Sequence, residues 1–543
     1  MKNIKILAAV LALSMTATSC KDYLDINDSP NAVNVEDITP EFLLPGAITQ
    51  TYRTQAINMM EFGNVMMNSW AGDAYQFGSP YSAEYTLSSV NASFYNQIWD
   101  NIYLNVNNFV AVENFPNADG KYDKYVLAAK VMKAFYMQYI VDLYGDAPYT
   151  EAFKGQANTT PAYDDDKNIY KSLIAELDNA IALSHNISPQ ALNSSARDYV
   201  FGGDVAKWRK FANTIKLRML LRMSNVSGDM AAYRDQVLAT MPTSASDYIT
   251  ENVTENPGYS SSSDSKMNPF FVTFRVNSSG GATTKYRLIT ASEHMSIALN
   301  GNKYYTDAGV VASSDPNYAK FTGIVDPRRA GLFTIVTLPS GGTVHQLVKG
   351  IRQGALSGQE GAPNSNKTIS RIGNGSFSGS ASLNLTNGNR DGVIMSAAEA
   401  YLLLAEASVR YPQFAGINGK QMFENAIDAS AQWLGTAIGS YKTQIDGVPG
   451  LGWTGSTTLP QKIEAIMTQK WIALTNVNPA EMFIEYNRTG YPYTPMAVSA
   501  IQPNKPYRLH YPNSEYMTNS ANVPSMTSAD CFTINAKTPF WKQ

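Results

Sequence analysis

The sequence predicts a mostly α-helical protein: a scaffold of packed helix pairs with long irregular loops and a few short strands. Three observations predict it. Apolar residues recur at helical spacing from about residue 46 to 241, and again from 393 to about 492. Between those blocks, from about 243 to 391, Gly, Ser, Asn and Thr rise and the periodicity fades. Ala-rich segments such as "AAKVMKAFYMQYIVDLYG" and "AAEAYLLLAEASVRY" put small residues where tetratricopeptide-like helices approach closely, though the period is too uneven for a simple repeat array. The expected organisation is a single helical domain over 46–543 with a loop-rich insertion at about 243–391.

The chain opens with "MKNIKILAAVLALSMTATS". Lys2 and Lys5 form a positive start, an apolar stretch follows, and Ala17, Thr18 and Ser19 are small. That is the layout of a secretory signal over 1–19, too short to span a bilayer stably. Cleavage there would leave Cys20 first, and the segment resembles a bacterial lipobox, with Ala17 where Leu is commoner. Cys20 is therefore the expected lipidation site, because two or more acyl chains suffice as an anchor. The alternative is an ordinary secretory signal beside an unmodified cysteine. Residues 20–45 are polar and Pro-punctuated, as a tether would be. Cys531 is then the single remaining thiol, so no internal disulfide is possible and the core must hold the fold.

Helical segments follow in order. "KYVLAAKVMKAFYMQYIVDLYG" (124–145) is apolar on most faces and should pack on several sides, ending near Gly145. Asp164, Asp165 and Asp166 precede "KNIYKSLIAELDNAIALS", where acids satisfy the free N–H groups of a helix start. Calcium binding is the sharper alternative for those acids, but no flanking loop of oxygen ligands accompanies them. "GGDVAKWRKFANTIKLRMLLRMS" (202–224), "VIMSAAEAYLLLAEASVRY" (393–411) and "LPQKIEAIMTQKWIALTN" through "PAEMFIEYNRTGYP" complete the helical reading.

Composition excludes several classes. The formal charge is −3, from 42 basic and 45 acidic residues with no basic block, so nucleic acid is not an expected partner. His185, His294, His345 and His510 are too scattered for a zinc motif. There is no HExxH, GxSxG, phosphate-binding loop or EF-hand pattern. "GNGSFSG" (373–379) lacks dinucleotide-loop spacing and reads as a flexible loop. Glu481 and Glu485 share a helix face, which a solvated surface or ion pairs with Lys470 and Arg488 explain better than glycosidase carboxylates. Glu399 and Glu406 read as packing or partner contacts. The missing motifs lower the expectation of an enzyme, although glycosidase carboxylates often carry no motif.

Aromatic density is the unusual feature. The chain has 32 Tyr, 21 Phe and 7 Trp, and an excess of Tyr suits a surface that is both apolar and wet. A sugar ring has an apolar C–H face that an aromatic plane matches and a polar rim that Asn, Asp, Gln and Arg match. Trp99, Tyr103, Trp208, Trp433 and Trp471 sit at helical spacing and read as core. Trp70, Asp73, Tyr75, Tyr81 and Tyr85 lie in a stretch broken by Gly, Ser and Pro, where loops commonly carry function. They are the first candidates for ligand binding, alongside the rival reading as core. Phe271 and Arg275, with Phe270 and Tyr286, are candidates in the second loop region.

Six strings occur in order: "CKDYLDINDSPNAV", "IWDNIYLNVNN", "DLYGDAPYTEAF", "NPFF" followed by "DPRR", "VIMSAAEAYLLLAEA", and "QKWIALTN" with "EYNRTGYP". Together they resemble the SusD/RagB family of nutrient-binding outer-membrane lipoproteins, over nearly the whole mature chain. The resemblance implies a tetratricopeptide-like helical scaffold with ligand contacts on long loops. It implies a lipid-anchored position on the outer membrane facing outside. It implies capture of oligosaccharides for a SusC-like TonB-dependent transporter, without catalysis or cofactor. A RagB-like peptide-binding protein is the alternative, and a glycoside hydrolase a more remote one. The matching strings read as fold: Asp146, Pro148 and Tyr149 as a turn closing a helix pair, Arg488 and Tyr491 as packing and interface residues. They do not carry over any ligand contact.

Overall fold

The computed structural model describes residues 38–73, 80–362 and 368–543. The expected signal segment, Cys20 and Tyr75 lie outside the described residues. Among those described, no helix is long and apolar enough to cross a membrane.

The first helical block contains α1 (Pro40–Thr54), α2 (Met60–Met66), α3 (Gln97–Asn114), α4 (Asp123–Tyr144), α5 (Asp166–His185), α6 (Val205–Arg222) and α7 (Gly228–Leu238). α1 starts inside the segment expected to be tether, because Pro40 occupies the first helical turn, where its missing N–H is harmless. A π-helical turn, Gln55–Met59, carries α1 into α2. α3, α4, α5 and α6 pack as successive neighbours. α4 is buried on nearly all sides and stops at Gly145, as its all-round apolar sequence requires. Asp165 caps α5 by accepting from Lys167 N and Asn168 N, and Asp204 caps α6 through Lys207 N.

The insertion holds α8 (Glu293–Leu299), and the second block contains α9 (Ala397–Arg410), α10 (Gly419–Leu434), α11 (Leu459–Leu474) and α12 (Pro479–Thr489). The helical reading of 393–411 is corrected at its start. Residues Val393 and Ile394 belong to a strand, and Ser396 caps α9 by accepting from Glu399 N. β-branched residues favour the strand, and a serine cap gives the helix a defined beginning. α6 contacts α9, and α12 packs on α2, so the blocks share one apolar core. Gly63 permits that last contact: a Cβ there would lie 2.2 Å from the backbone of Pro479 and Ala480.

The described strands form four antiparallel pairs. β1 (Trp70–Gly72) pairs with β3 (Ile289–Ala291), and β2 (Val253–Glu255) with β8 (Gly392–Met395). β4 (Lys303–Thr306) and β5 (Gly309–Ala312) form one hairpin, β6 (Val336–Ser340) and β7 (Thr343–Leu347) another. Gln55, on the π turn, donates to Val393 O and Ile394 O and so ties α1 to β8. "GNGSFSG" is not a free loop: Asn374–Ser378 is a helical turn whose Phe377 is buried against Phe270 and Phe271.

Charge is buried between the blocks. Arg222 on α6 meets Asp142 of α4 at 3.1 Å and Glu481 of α12 at 2.7 Å, and also pairs with Glu485. Arg488 grips Glu406 of α9 through two contacts of 2.8 Å and pairs with Glu485. Lys470 of α11 lies 3.3 Å from Glu481, and Arg218 lies 3.4 Å from Glu399. Glu481 and Glu485 are thus ion-paired as expected, but in the interior rather than on a solvated face, and Glu399 and Glu406 join the same network.

Candidate functional site

A cleft opens where the insertion meets the C-terminal segment. Its frame begins at β3, which leads into Ser292. Ser292 accepts from Met295 N as the cap of α8 and donates to Asn68 O at 2.5 Å. The capped helix turns Glu293, His294 and Ile297 toward the cleft. The opposite wall begins at Gly350, which runs so close to Ser292 that a Cβ would lie 2.0 Å from Ser292 O. Glu293 N donates to Ile351 O and Ile351 N to Ala291 O, which places Arg352 and Gln353 beside α8. Gln353 in turn donates to Val65 O and Trp70 O, joining this wall to the helical scaffold.

Tyrosines line what this frame leaves open. An inner cavity of about 280 Å³ is bordered by Tyr304 of β4, Tyr318, Tyr493 and Asp315. An outer cavity of about 720 Å³ shares Tyr304 and adds Tyr305, Asp307, Lys349 and Glu360. Val498, 56% exposed, stands at the rim. The lining groups hold one another in place. Tyr493 donates to Asp315 at 3.2 Å, and Tyr318 bonds His294 Nδ1 at 2.8 Å. Arg352 Nε reaches Glu293 at 2.7 Å and Nη2 reaches Glu360 at 3.3 Å. The Lys349 ammonium lies 5.0 Å from the centre of the Tyr305 ring.

Burial sets the charge states beneath the tyrosines. It pushes His294 down to about 3, with Lys505 and Lys320 adding to the effect, so the imidazole is neutral at physiological pH. Burial alone pushes Lys505 down to about 7. It also raises Glu293 above the ordinary carboxylate range, against the pull of Arg352. Tyr318 is itself buried, so what the arrangement offers is the half-buried rings of Tyr304, Tyr305 and Tyr493, with hydroxyls at their edges and carboxylates committed to partners.

The ligand candidates read from the sequence lie elsewhere. Trp70 is fully buried in β1, donates to Asn476 Oδ1 at 2.7 Å and packs edge-on to Phe274. Tyr81 and Tyr85 are buried around the same strand; Tyr81 donates to Glu61, and Tyr85 accepts from Gly72 N. Asp73 pairs with Arg371 at 2.5 Å. Phe271 is core, and Arg275 stacks 4.1 Å over Tyr286. The structure therefore gathers Trp70, Asp73, Tyr81 and Tyr85 into one cluster, next to Phe271 and Arg275. It gives their rings to the interior because β1 is covered on both faces. Asn68, two residues from Trp70, does line the cleft. The cleft tyrosines had a legible signal in "NKYYTDAGVV": a Tyr pair beside a two-residue Asp-Ala turn.

The triad Asp146, Asp165 and Asp166 brings three carboxylates within 4.8 Å of one another. Asp146 accepts from Asp166 N, Asp166 from Phe540 N, and Asp165 from Lys167 N and Asn168 N, so all three hold the main chain in place. Asp164, the remaining acid of that run, accepts from Tyr149 N and Thr150 N.

Fold and cleft together describe a helical scaffold with a tyrosine-lined cleft on an inserted loop region. The chain belongs to the SusD-like family described as "Starch-binding associating with outer membrane", which it matches over residues 30–512. Solved structures agree on the fold. A chitin-binding SusD homologue from Flavobacterium johnsoniae is 20% identical, covers 92% of this chain and 98% of its own, and superposes with a TM-score of 0.63. A SusD-like protein from Bacteroides thetaiotaomicron is 22% identical over 90% of this chain and 94% of its own, with a TM-score of 0.62. A SusD homologue from Bacteroides uniformis is 22% identical over 89% and 95%, with a TM-score of 0.61. No curated protein matches the sequence.

Proposed function

We propose that this protein captures oligosaccharides at the outer-membrane surface, in the cleft of Tyr304, Tyr305, Tyr318 and Tyr493, and delivers them to a SusC-like TonB-dependent transporter. The observation that carries the reading is the tyrosine cleft on a scaffold whose family is described as starch-binding. Cys20 would carry the lipid that holds the protein on the outer face, with 1–19 removed and 20–39 as tether. Residues 40–543 would act as one domain. Binding without cleavage is the reading that the family supports, and the pairing of Glu293 with Arg352 and of Asp315 with Tyr493 agrees with it.

Burying about 80 Å² of sugar C–H surface on a ring contributes about 2 kcal/mol gross. Two or three such contacts, less ordering costs, give a Kd of roughly 10 μM to 1 mM. The probes are maltohexaose, from the family description, and chitohexaose, from the Flavobacterium relative. Calorimetric titration should show binding without release of shorter sugars. Binding of neither probe, with peptides rather than sugars co-purifying from cells, would replace this reading with the peptide-binding one. Steady product release would replace it with hydrolysis.

A further inference from the structure

The helical scaffold carries a second cleft, which shares no residue with the tyrosine cleft. Along α10, Asn425, Asp428, Ala429, Gln432 and Trp433 fall at helical intervals of three and four, so one face of the helix lines it. α9 contributes Ala397 and Tyr401, one turn apart. Alanines on both helices leave room between them, and the loops at 250–252 and 378–379 close the sides. The cavity is about 670 Å³. Small-molecule sites commonly enclose roughly 300–1,000 Å³.

Trp433 departs from the core role its helical position suggested: it is half-buried and borders this cavity. It is also held rigidly. The Arg390 guanidinium lies 3.3 Å from the ring centre, and Arg390 itself donates to Trp433 O at 2.7 Å and Gly375 O at 3.2 Å. Tyr401 is fixed by donating to Thr250 O at 3.2 Å. A ring that is already immobile loses little entropy when a ligand lies against it. The charged groups of the cavity are spoken for: Asp428 pairs with Lys442 at 2.6 Å and Glu251 with Lys207 at 2.7 Å. The Arg390 charge is directed at main-chain carbonyls.

From this placement we infer that the α9–α10 cleft is a second saccharide site, taking uncharged pyranose units against Trp433 and Tyr401, with Asn425 and Gln432 as rim hydrogen-bonding groups. An anionic ligand would meet two carboxylates and no uncommitted cation in the lining. A cationic one would compete with the lysines already paired. A polymer long enough to reach both clefts would gain avidity from the second without any new contact at the first. The inference rests on the residues of this cleft alone and does not require the tyrosine cleft to bind.

The test titrates full-length mature protein with maltohexaose, cellohexaose, mannohexaose and chitohexaose, in the wild type and in Tyr304→Ala, Trp433→Ala and Ala429→Trp. Ala429→Trp fills the cavity without removing Arg390's partner, so it reports on the site even where Trp433→Ala disturbs folding. Far-UV melting confirms that each variant is folded. At least one sugar should occupy a site that survives Tyr304→Ala and is lost in Ala429→Trp, with affinity falling about tenfold or more. Loss of all binding in Tyr304→Ala, with Ala429→Trp unaffected, would overturn the second site and leave the first. The reverse pattern would overturn the first and support the second. Binding of no sugar by the wild type would overturn both.

Discussion

Tyr304 stands where the inner and outer cavities meet, so one ring serves both. Tyr304→Ala should raise the Kd for the captured oligosaccharide about tenfold, the equivalent of about 1.4 kcal/mol, while Tyr304→Phe keeps most of the affinity. Calorimetry on the two variants checks this; equal losses would assign the contact to the hydroxyl rather than the ring face. Beneath the tyrosines, Lys505 is buried, with Nζ 3.3 Å from Pro495 O. Burial holds its ammonium down to about 7, against about 10.4 for a free lysine. Between those values the unfolded chain holds a proton that the folded chain has released, so this residue makes stability rise with pH across that window. Below about 7 both states are protonated and the full burial cost applies. Lys505→Met should therefore raise the thermal midpoint at pH 7 and flatten the wild-type rise between pH 7 and 10. Parallel pH profiles for wild type and variant would refute the assignment.

At the scale of elements, the cleft depends on one close approach. Gly350 passes Ser292 at a distance that admits no Cβ, and the hydrogen bonds of Glu293 N and Ile351 N lock the two segments together. Gly350→Ala must push the Arg352 segment away from α8. It should cost about 1–3 kcal/mol in denaturant unfolding and weaken oligosaccharide binding as well. A stability loss with unchanged affinity would show that the tyrosines are positioned independently of this contact. Such approaches explain what the sequence could and could not reveal. Helices α4, α5 and α6 were legible because periodicity and cap residues such as Asp165 and Asp204 are local signals. The start of α9 was displaced because Val393 pairs with Thr254 and Met395 with Val253 of β2, well over a hundred residues earlier. The cleft was missed for the same reason. Loop composition around Trp70 suggested exposure, but β3 covers β1 from more than 200 residues away. Tyr304, Tyr318 and Tyr493 come together only through the fold.

At the scale of the whole molecule, the two helical blocks meet around buried charge. Replacing a complete buried network by apolar residues can be neutral or stabilising, so these pairs are evidence of a fixed arrangement rather than of net stability. Removing one member is different. Arg222 faces Asp142 on α4 and Glu481 and Glu485 on α12, and all four are almost wholly buried. Burial pushes Glu485 upward, but Arg488, Lys470 and Arg222 override it and hold the carboxyl well below its usual range. Glu481 and Glu406 are lowered in the same way, by Arg222 and Lys470 and by Arg488 and Arg410 respectively. A carboxylate lowered in the folded state supplies stability that is present above its unfolded pKa, about 4.3, and is lost as pH falls below that. Arg222→Met leaves Asp142 and Glu481 without their principal cation and Glu485 without one of its three, and should cost about 3–5 kcal/mol at neutral pH. It should also move the onset of acid unfolding to higher pH, because Glu481 and Glu485 then take up protons more readily. Thermal melts from pH 3 to 8 read both effects. Arg222 lies on the scaffold and lines neither cavity of the tyrosine cleft, so oligosaccharide affinity of the folded variant should be unchanged. An unshifted acid limb would mean that Lys470 and Arg488 alone keep the glutamates ionised; a fall in affinity would mean that the blocks' arrangement reaches the cleft.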